Sequence, residues 1–306
     1  MAPRLGLGGG VTADPASGLF GAPNLLLDNF PGAHRAYSVR KLSKDYSGFA
    51  MKVRRTDNEE ADVAFDDNGR VSGSSMIANP SGGVSVTDLD TFVGSGGTDH
   101  AFVTLWYDQS GEGSNADDAD VDYQPKLYNA GSLITVNSRA AVLFDGTDDH
   151  LGIDESGLSF GSVTTFAVFK HGSTSGTRVP WGLSNASGNF YLHLMYGADM
   201  YYYDTGNIAG HSVDTDQHFW TYEGAVGTNK QTIFMDGAAS TASGDSDKDT
   251  SFSDVAGNGL GGYEAGTGGS SFSWQGHFQE FIVYDSDQIS NRSDIESDID
   301  TEYDIS

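Results

Sequence analysis

The chain has 306 residues, of which 41 are glycine and none is cysteine, and its 16 basic and 43 acidic residues give a formal net charge of −27. This charge argues against a nucleic-acid-binding protein, because phosphate contacts require a basic face, and against binding to an anionic membrane surface. No apolar run reaches the length needed to insert into a membrane. The lack of cysteine excludes disulfide bonds and thiolate metal sites.

The net charge also predicts that stability depends on salt. Like charges on one surface repel and destabilise the compact state, and the screening length falls from about 8 Å at physiological ionic strength to about 3 Å at about 1 M salt. We therefore expect the midpoint of urea unfolding to rise between low and molar NaCl. If the midpoint of urea unfolding stayed level or fell, this would contradict the hypothesis that the protein is adapted to salt in a marine or halophilic setting.

The first residues differ in character from the rest. The segment Leu5–Gly10 is glycine-rich, and prolines interrupt the chain as far as Pro31, so no regular core element is expected there. We interpret residues 1–33 as an arm, either a disordered tail or a tether that docks on a partner subunit, and residues 34–306 as one domain. The N-terminus lacks the apolar segment of a secretory signal.

Abundant glycine, serine, threonine, aspartate and tyrosine with only 7 prolines predict many short strands joined by tight turns, and hence an all-β fold. In chain order, Ala50–Arg55 alternates like a half-buried strand, and Ala61–Phe65 runs into the hairpin signal Asp66–Gly69. Seven of the 16 basic residues lie between Arg35 and Arg55. We expect them to pair with acidic groups of the same chain.

The apolar run Ala101–Leu105 leads into the motif WYDQSGEG at residues 106–113. A strand that ends in an aromatic pair and a Ser-Gly turn places its polar residues at the rim of a sheet. Trp106 could pack in the core and Asp108 could tie down its own turn. Alternatively, Trp106, Asp108 and Gln109 face a ligand.

The second half carries further strand signals and ends in a helix. Ile295, Ile299 and Tyr303 at a spacing of four predict one apolar helix face, with Ser290 or Asn291 as the N-cap. The acidic residues between them, including Glu296, are expected to be solvated.

Two kinds of ligand site are candidates. Aromatic faces with polar neighbours are typical of sugar binding, and the candidate carbohydrate-binding residues are Trp106, Asp108, Gln109, Tyr201, Tyr203 and Trp274. Calcium prefers several carboxylate and carbonyl oxygens, and the candidate ligands are Asp117, Asp118 and Asp120. Two further acidic loops are candidates for calcium, one at Asp145, Asp148 and Asp149 and one at residues 245–254. None of the three loops has EF-hand spacing.

The segments AYSVRKLSKDYSGFAMKVRR, ADVAF, VTLWYDQSGEGSNA and QPKLYN, within residues 36–129, resemble the α-L-arabinofuranosidase B catalytic domain of glycoside hydrolase family 54. This resemblance implies a concanavalin A-like jelly-roll β-sandwich, with laminin-G-like closing strands and a short C-terminal helix. The family's nucleophile is a Glu in a strand of the second half, and the comparable stretch here, Gly188–Gly197, contains no carboxylate. Asp287 matches the family's acid/base Asp by position.

A single carboxylate cannot run the two-carboxyl reaction of a glycosidase. We therefore predict a non-catalytic relative, with an arabinofuranosidase-like hydrolase that uses Asp287 and an unrecognised second carboxylate as the alternative. Similar modules look typical of tailed-phage virion proteins, which implies a virion-surface structural protein, either a head decoration or a tail adhesion subunit. Its expected partners are other virion proteins through the arm, host surface glycans and further copies of itself.

Overall fold

The computed structural model describes residues 25–83, 87–153, 162–184, 190–204, 206–225, 231–240, 259–262 and 272–305. The side chains of residues 183–194, 201–210, 225 and 231 lie outside this description. Strands dominate the described residues, and their pairings are antiparallel. The prediction of an all-β fold with a short C-terminal helix is confirmed.

The first half of the chain contributes eleven strands. They are β1 Arg35–Ser38, β2 Met51–Arg55, β3 Glu60–Val63, β4 Ile77–Ala78, β5 Ala101–Trp106, β6 Ala116–Asp117, β7 Lys126–Asn129, β8 Ser132–Leu133, β9 Thr135–Val136, β10 Arg139–Ala140 and β11 Val142–Asp145. The second half contributes eleven more. They are β12 Leu151–Ile153, β13 Ser162–His171, β14 Thr177–Ser184, β15 Phe190–Tyr196, β16 Asp199–Asp204, β17 Gly206–Ser212, β18 Gln217–Ala225, β19 Gln231–Met235, β20 Ala238–Ala239, β21 Gly259–Leu260 and β22 Gln275–Tyr284. The helices are α1 Leu26–Asn29, α2 Leu89–Val93 and α3 Arg292–Tyr303.

The strands form two layers. One layer runs β22–β13–β18–β19–β20, with β1 and β11 both paired to the outer side of β22. The other runs β4–β3–β2–β5–β6–β12–β21–β14–β15–β16–β17. Strand β7 pairs with both β5 and β11 and so joins the layers. The result is a β-sandwich.

Aromatic side chains fill the space between the layers. Trp181 of β14 packs on Phe281 of β22, with ring centroids 5.0 Å apart. All four tryptophans of the chain are buried, at 1% exposure or less. Large aromatic residues dominate core energetics because each removes a large apolar area from water. The tryptophans therefore hold the two layers together.

The basic residues of the first half are largely paired within the chain, as predicted. The Arg40 guanidinium binds both carboxylate oxygens of Glu280, at 2.8 and 2.9 Å, and also Asp298 on α3 at 2.6 Å. The Glu280 side chain has no exposed area. This bidentate pair ties the first strands, β22 and the C-terminal helix to one another.

The predicted apolar face of α3 is confirmed, because Ile295, Ile299 and Tyr303 are fully buried. Glu296 differs from the expectation of a solvated residue and is 5% exposed. Its carboxylate accepts hydrogen bonds from Thr221 at 2.7 Å and from Arg292 at 2.6 Å. Tertiary partners on β18 explain the difference, and a helical pattern alone does not reveal them.

Part of the predicted arm packs on the domain. Leu26 and Leu27 are buried in the same core as the strands, and the Leu27 amide donates to the Leu42 carbonyl at 2.8 Å. Residues 1–24 lie outside the described residues, so their role as a tether stays a prediction. No described helix has the length and apolar character needed to cross a membrane.

His218 on β18 pairs with an aspartate from each of two turns. Its two ring nitrogens lie 2.6 Å from Asp236 and 2.9 Å from Asp214. Although burial lowers the pKa of His218, the two carboxylates offset this and raise it from 6.5 to about 9. Protonated His218 therefore stabilises the fold fully below about pH 6.5, and this contribution is lost as the pH rises through about 9.

We expect His218→Gln to melt below the wild type at neutral pH. The gap between the two melting temperatures should close as the pH passes about 9, and thermal unfolding followed by circular dichroism at several pH values measures it. A gap that stays constant across this range would contradict a charged His218.

Candidate functional site

The motif residues Trp106, Asp108 and Gln109 are buried supports of the fold. The Trp106 indole donates to the Ser38 carbonyl at 3.2 Å. The Gln109 amide accepts from the Leu42 N–H and donates to the Arg40 carbonyl. Their exposed fractions are 0, 6 and 3%, respectively. The expectation that they touch a sugar is therefore corrected, because these side chains present no free surface.

The aromatic candidates divide into two groups. Trp274 is fully buried, and its indole N–H donates to Nδ1 of His171 at 3.0 Å, so the expectation that it stacks on a sugar is corrected as well. Tyr201 and Tyr203 lie on β16, but their side chains are outside the described residues. The stretch Gly188–Gly197, compared above with the family's nucleophile strand, also falls largely outside them. The sugar-binding role of the two tyrosines stays a prediction.

The predicted calcium ligands Asp117, Asp118 and Asp120 do not converge on one point. Asp118 binds Nε2 of His150 at 2.8 Å and accepts the Asp120 amide at 2.7 Å. The Asp120 carboxylate caps its own turn by accepting the Asp122 amide. These contacts of Asp118 and Asp120 are typical of turns, and the calcium-binding role of Asp117, Asp118 and Asp120 stays a prediction.

A different acidic loop does bring its carboxylates together. Among the residues that the structure describes, one group of three acidic or histidine side chains has ligand atoms that all lie within 4.8 Å of one another. It consists of Asp145, Asp148 and Asp149. These three side chains are the candidate functional site, and they are the described residues best arranged to hold a cation.

The local sequence explains this convergence. Strand β11 ends at Asp145, and Gly146, at a φ of 82°, turns the chain in a conformation that favours glycine. The Asp145 carboxylate accepts the amide of Thr147 at 2.7 Å, and the Asp149 carboxylate accepts the amide of Asp145 at 2.8 Å. The turn is thereby closed from both ends. Asp148 lies within this turn, between Asp145 and Asp149.

Gly261 allows another segment to approach the loop closely. A β-carbon at this position would lie 2.1 Å from the Phe144 ring and 2.9 Å from the Asp149 carbonyl oxygen. Only glycine fits this contact without a shift of the backbone. Gly261 therefore lies against the Phe144 ring and the Asp149 carbonyl oxygen, at one side of the acidic loop.

The three carboxyl groups differ in environment. Asp145 is exposed, Asp148 is half-buried and Asp149 is 8% exposed. Burial, followed by the charge of Asp145, raises the pKa of Asp149 from 3.8 to about 7. Burial and Asp145 also raise the pKa of Asp148. A protonated Asp149 is thus available near neutral pH.

Histidine and aromatic groups border this loop. His150 follows Asp149, pairs with Asp118 and packs on the Tyr123 ring at a centroid distance of 5.1 Å. Burial lowers the pKa of His150, but hydrogen bonds to Asp118 and to the Asp148 carbonyl oxygen outweigh this, so its pKa is raised. The segment that contains Asp118 and Tyr123 therefore contacts the acidic loop through His150.

Asp287, the family-matched acid/base candidate, lies elsewhere. It is exposed, and its carboxylate accepts the Ile289 amide at 2.8 Å. The charge of Asp287 acts on the carboxyl group of Glu223. Burial raises the pKa of Glu223 to about 7, with contributions from the charges of Asp287 and Glu296, although Arg292 acts in the opposite direction. Because Arg292 lies 3.5 Å from Glu223 and binds Glu296, these groups anchor α3 to the sheet.

The fold is similar to the β-sandwich of solved arabinofuranosidases. A solved GH54 α-L-arabinofuranosidase variant, soaked with 4-nitrophenyl α-L-arabinofuranoside, aligns with a TM-score of 0.53 and 16% identity over 87% of this chain and 62% of its own. An arabinofuranosidase bound to arabinofuranosyl-α-1,2-xylobiose gives the same values. The chain thus spans 62% of the length of these structures.

A Trypanosoma rangeli sialidase aligns at a TM-score of 0.42 with 12% identity over 80% of this chain, which is too low to support an inference. No protein-family model matches the sequence. No curated protein matches it either.

The prediction of a non-catalytic chain is wrong on these findings, because the solved structures that share its fold are glycoside hydrolases. The sandwich implied by the sequence resemblance is confirmed. The relation to tailed-phage virion proteins, the location on a virion and the partners stay predictions.

Proposed function

We propose that the chain is a glycoside hydrolase that cleaves α-L-arabinofuranosides, with Asp149 and Asp148 as its two catalytic carboxyl groups. The observation that carries this proposal is that one carboxyl oxygen of Asp148 and one of Asp149 lie within 4.8 Å of each other. A retaining glycosidase needs carboxyl groups about 5 Å apart. The fold shared with arabinofuranosidases over 87% of the chain supports the same class of reaction.

Asp149 is assigned as the acid/base because its raised pKa leaves it protonated near neutral pH. Asp148 is assigned as the nucleophile, since the Asp145 carboxylate already accepts the amides of Thr147 and Asp148. Asp145 is then the residue that shapes the turn and, through its charge, raises the pKa values of both others.

The reaction takes two steps. A carboxylate oxygen of Asp148 attacks the anomeric carbon, the bond to the leaving oxygen breaks, and the Asp149 proton passes to that oxygen. Water then attacks the same carbon, gives its proton to the Asp149 carboxylate and releases Asp148. The sugar leaves with its original anomeric configuration.

Purified protein and 4-nitrophenyl α-L-arabinofuranoside test this proposal. We expect release of 4-nitrophenol at a rate that falls as the pH rises through about 7, since Asp149 loses its proton there. The matched control is the same protein with 4-nitrophenyl β-D-galactopyranoside. Absence of release above the buffer blank across the acidic and neutral range would overturn the proposal.

Calcium would compete for the same carboxylates, which are the ones best placed to hold it. The proposed reaction needs Asp149 protonated and Asp148 free. Calcium that binds at this loop should therefore lower the rate of hydrolysis, and removal of divalent ions with EDTA should leave the rate unchanged.

A further inference from the structure

Two buried carboxylates meet a single arginine where α3 begins. The Arg292 guanidinium binds the Glu296 carboxylate at 2.6 Å, and its Nε lies 3.5 Å from Oε1 of Glu223 on β18. The side chains of Glu223 and Glu296 are only 12% and 6% exposed. A buried carboxylate requires a partner of opposite charge. Here one guanidinium serves two carboxylates, so their charges are not balanced when both are ionised.

A third carboxylate, that of Asp287, belongs to the segment that crosses the same part of the sheet. The Thr164 hydroxyl donates to the Ser286 carbonyl at 3.1 Å and accepts the Gln288 amide at 3.1 Å. Thr164 on β13 is directly opposite Glu223 on β18 in the sheet. These two hydrogen bonds therefore hold Asp287 in the neighbourhood of Glu223, and its charge acts on the Glu223 carboxyl group.

The charged groups that face Glu223 are Asp287, Arg292 and Glu296, and we call these four residues the α3 anchor. When all four are ionised, three negative charges face one positive charge, and the like charges repel. A proton on Glu223 removes one of the negative charges. We propose that the α3 anchor is a pH-sensitive contact, which holds the first half of α3 on the sheet while Glu223 is protonated and loosens it when Glu223 loses its proton.

Glu223 is the member of the α3 anchor that takes the proton. The Glu296 carboxylate already accepts hydrogen bonds from Thr221 at 2.7 Å and from Arg292 at 2.6 Å, and Asp287 is exposed to water. By contrast, Oε1 of Glu223 is buried without a hydrogen-bond partner among the described residues. Burial of a carboxyl group favours its neutral form, and burial is the main reason why the pKa of Glu223 is raised from 4.5 to about 7.

The direction of the pH effect follows from this raised pKa. The stabilisation by protonated Glu223 is fully present below about pH 4.5 and is lost as the pH rises through about 7. The second half of α3 is held by other arginines, since Arg40 binds Asp298 and Arg70 binds Glu302. These pairs do not belong to the α3 anchor, so the second half of the helix is an internal reference. The proposal does not depend on hydrolysis, because the α3 anchor contains neither proposed catalytic carboxyl group.

Hydrogen–deuterium exchange of the α3 amides tests the proposal. Protection factors, which correct the observed exchange rate for the intrinsic rate at each pH, would be measured from about pH 5 to about pH 8.5 for residues 292–297 and 298–303. The test variant is Glu223→Gln, which keeps the size of the side chain but cannot ionise. The matched control, Asp294→Asn, removes an exposed carboxylate of the same helix that lies outside the α3 anchor. Asp287→Asn removes one of the charges that act on Glu223.

In the wild type and in Asp294→Asn, the protection of residues 292–297 should fall at least about tenfold as the pH rises through about 7, while that of residues 298–303 stays level. Glu223→Gln should show no such fall. In Asp287→Asn the fall should begin at lower pH, and this exposed substitution keeps the test decisive if Glu223→Gln does not fold. Level protection in the wild type, an equal fall in both halves of α3, an equal fall in Glu223→Gln or an unshifted fall in Asp287→Asn would overturn the proposal.

Discussion

Asp149→Asn is expected to lower kcat/KM on 4-nitrophenyl α-L-arabinofuranoside by about 10²- to 10⁴-fold, the usual contribution of general acid–base catalysis. An amide of the same size keeps the hydrogen bond from the Asp145 amide but cannot deliver a proton at neutral pH. Asp148→Asn should cost at least as much, because it removes the proposed nucleophile. Initial rates at several substrate concentrations measure both effects.

Two further variants sharpen this test. Asp287→Asn alters an exposed carboxylate far from the acidic loop in sequence, and its rate should equal that of the wild type. Asp145→Asn removes the charge that helps to raise the pKa of Asp149, so the falling limb of its pH profile should move to lower pH. If Asp287→Asn abolished activity and Asp149→Asn did not, the site would lie at Asp287.

The second large effect is expected at the buried ion pair. Glu280→Gln should lower the free energy of unfolding by about 3–5 kcal/mol, because it removes the buried partner of Arg40 and leaves that guanidinium with only the partly exposed Asp298. The Glu280 carboxylate has no exposed area and also accepts hydrogen bonds from Ser38 at 2.7 Å and Tyr303 at 3.0 Å. Urea unfolding at neutral pH measures the loss.

Asp57→Asn provides the comparison on the surface. The Asp57 side chain is 58% exposed and pairs with Arg55, and such pairs contribute about 0–1 kcal/mol. A double variant, Arg40→Met/Glu280→Met, should regain part of the loss, since apolar residues of similar volume often replace a buried pair at little cost. A loss below about 1 kcal/mol in Glu280→Gln would contradict the importance assigned to this pair.

Residue spacing and turn residues predicted the parts of the fold that are determined by neighbouring residues in the sequence. The spacing of Ile295, Ile299 and Tyr303 gave the buried face of α3, and turn residues marked the ends of short strands. The Arg40–Glu280 pair joins residues 240 positions apart, and no local pattern indicates it. The same holds for Glu296, which is buried because Thr221 and Arg292 lie against it.

The candidate site was only partly predictable for the same reason. The acidic run from Asp145 to Asp149 is visible in the sequence, but so are two other acidic loops, and composition does not distinguish them. The raised pKa of Asp149 depends first on burial, which the local sequence does not specify. Likewise, alternation in β5 does not reveal that both faces of Trp106 are covered. Residues of the WYDQSGEG motif that were expected to contact a ligand instead support the loop.

Trapping the glycosyl-enzyme would test the central proposal most directly. The protein would be incubated with a 2-fluoro-substituted aryl α-L-arabinofuranoside, which slows the second step, and its intact mass and proteolytic peptides would be measured. We predict a gain of one fluoro-sugar per chain, located on the peptide that contains Asp148. No adduct, or an adduct on a carboxylate outside the loop of Asp145, Asp148 and Asp149, would contradict this assignment.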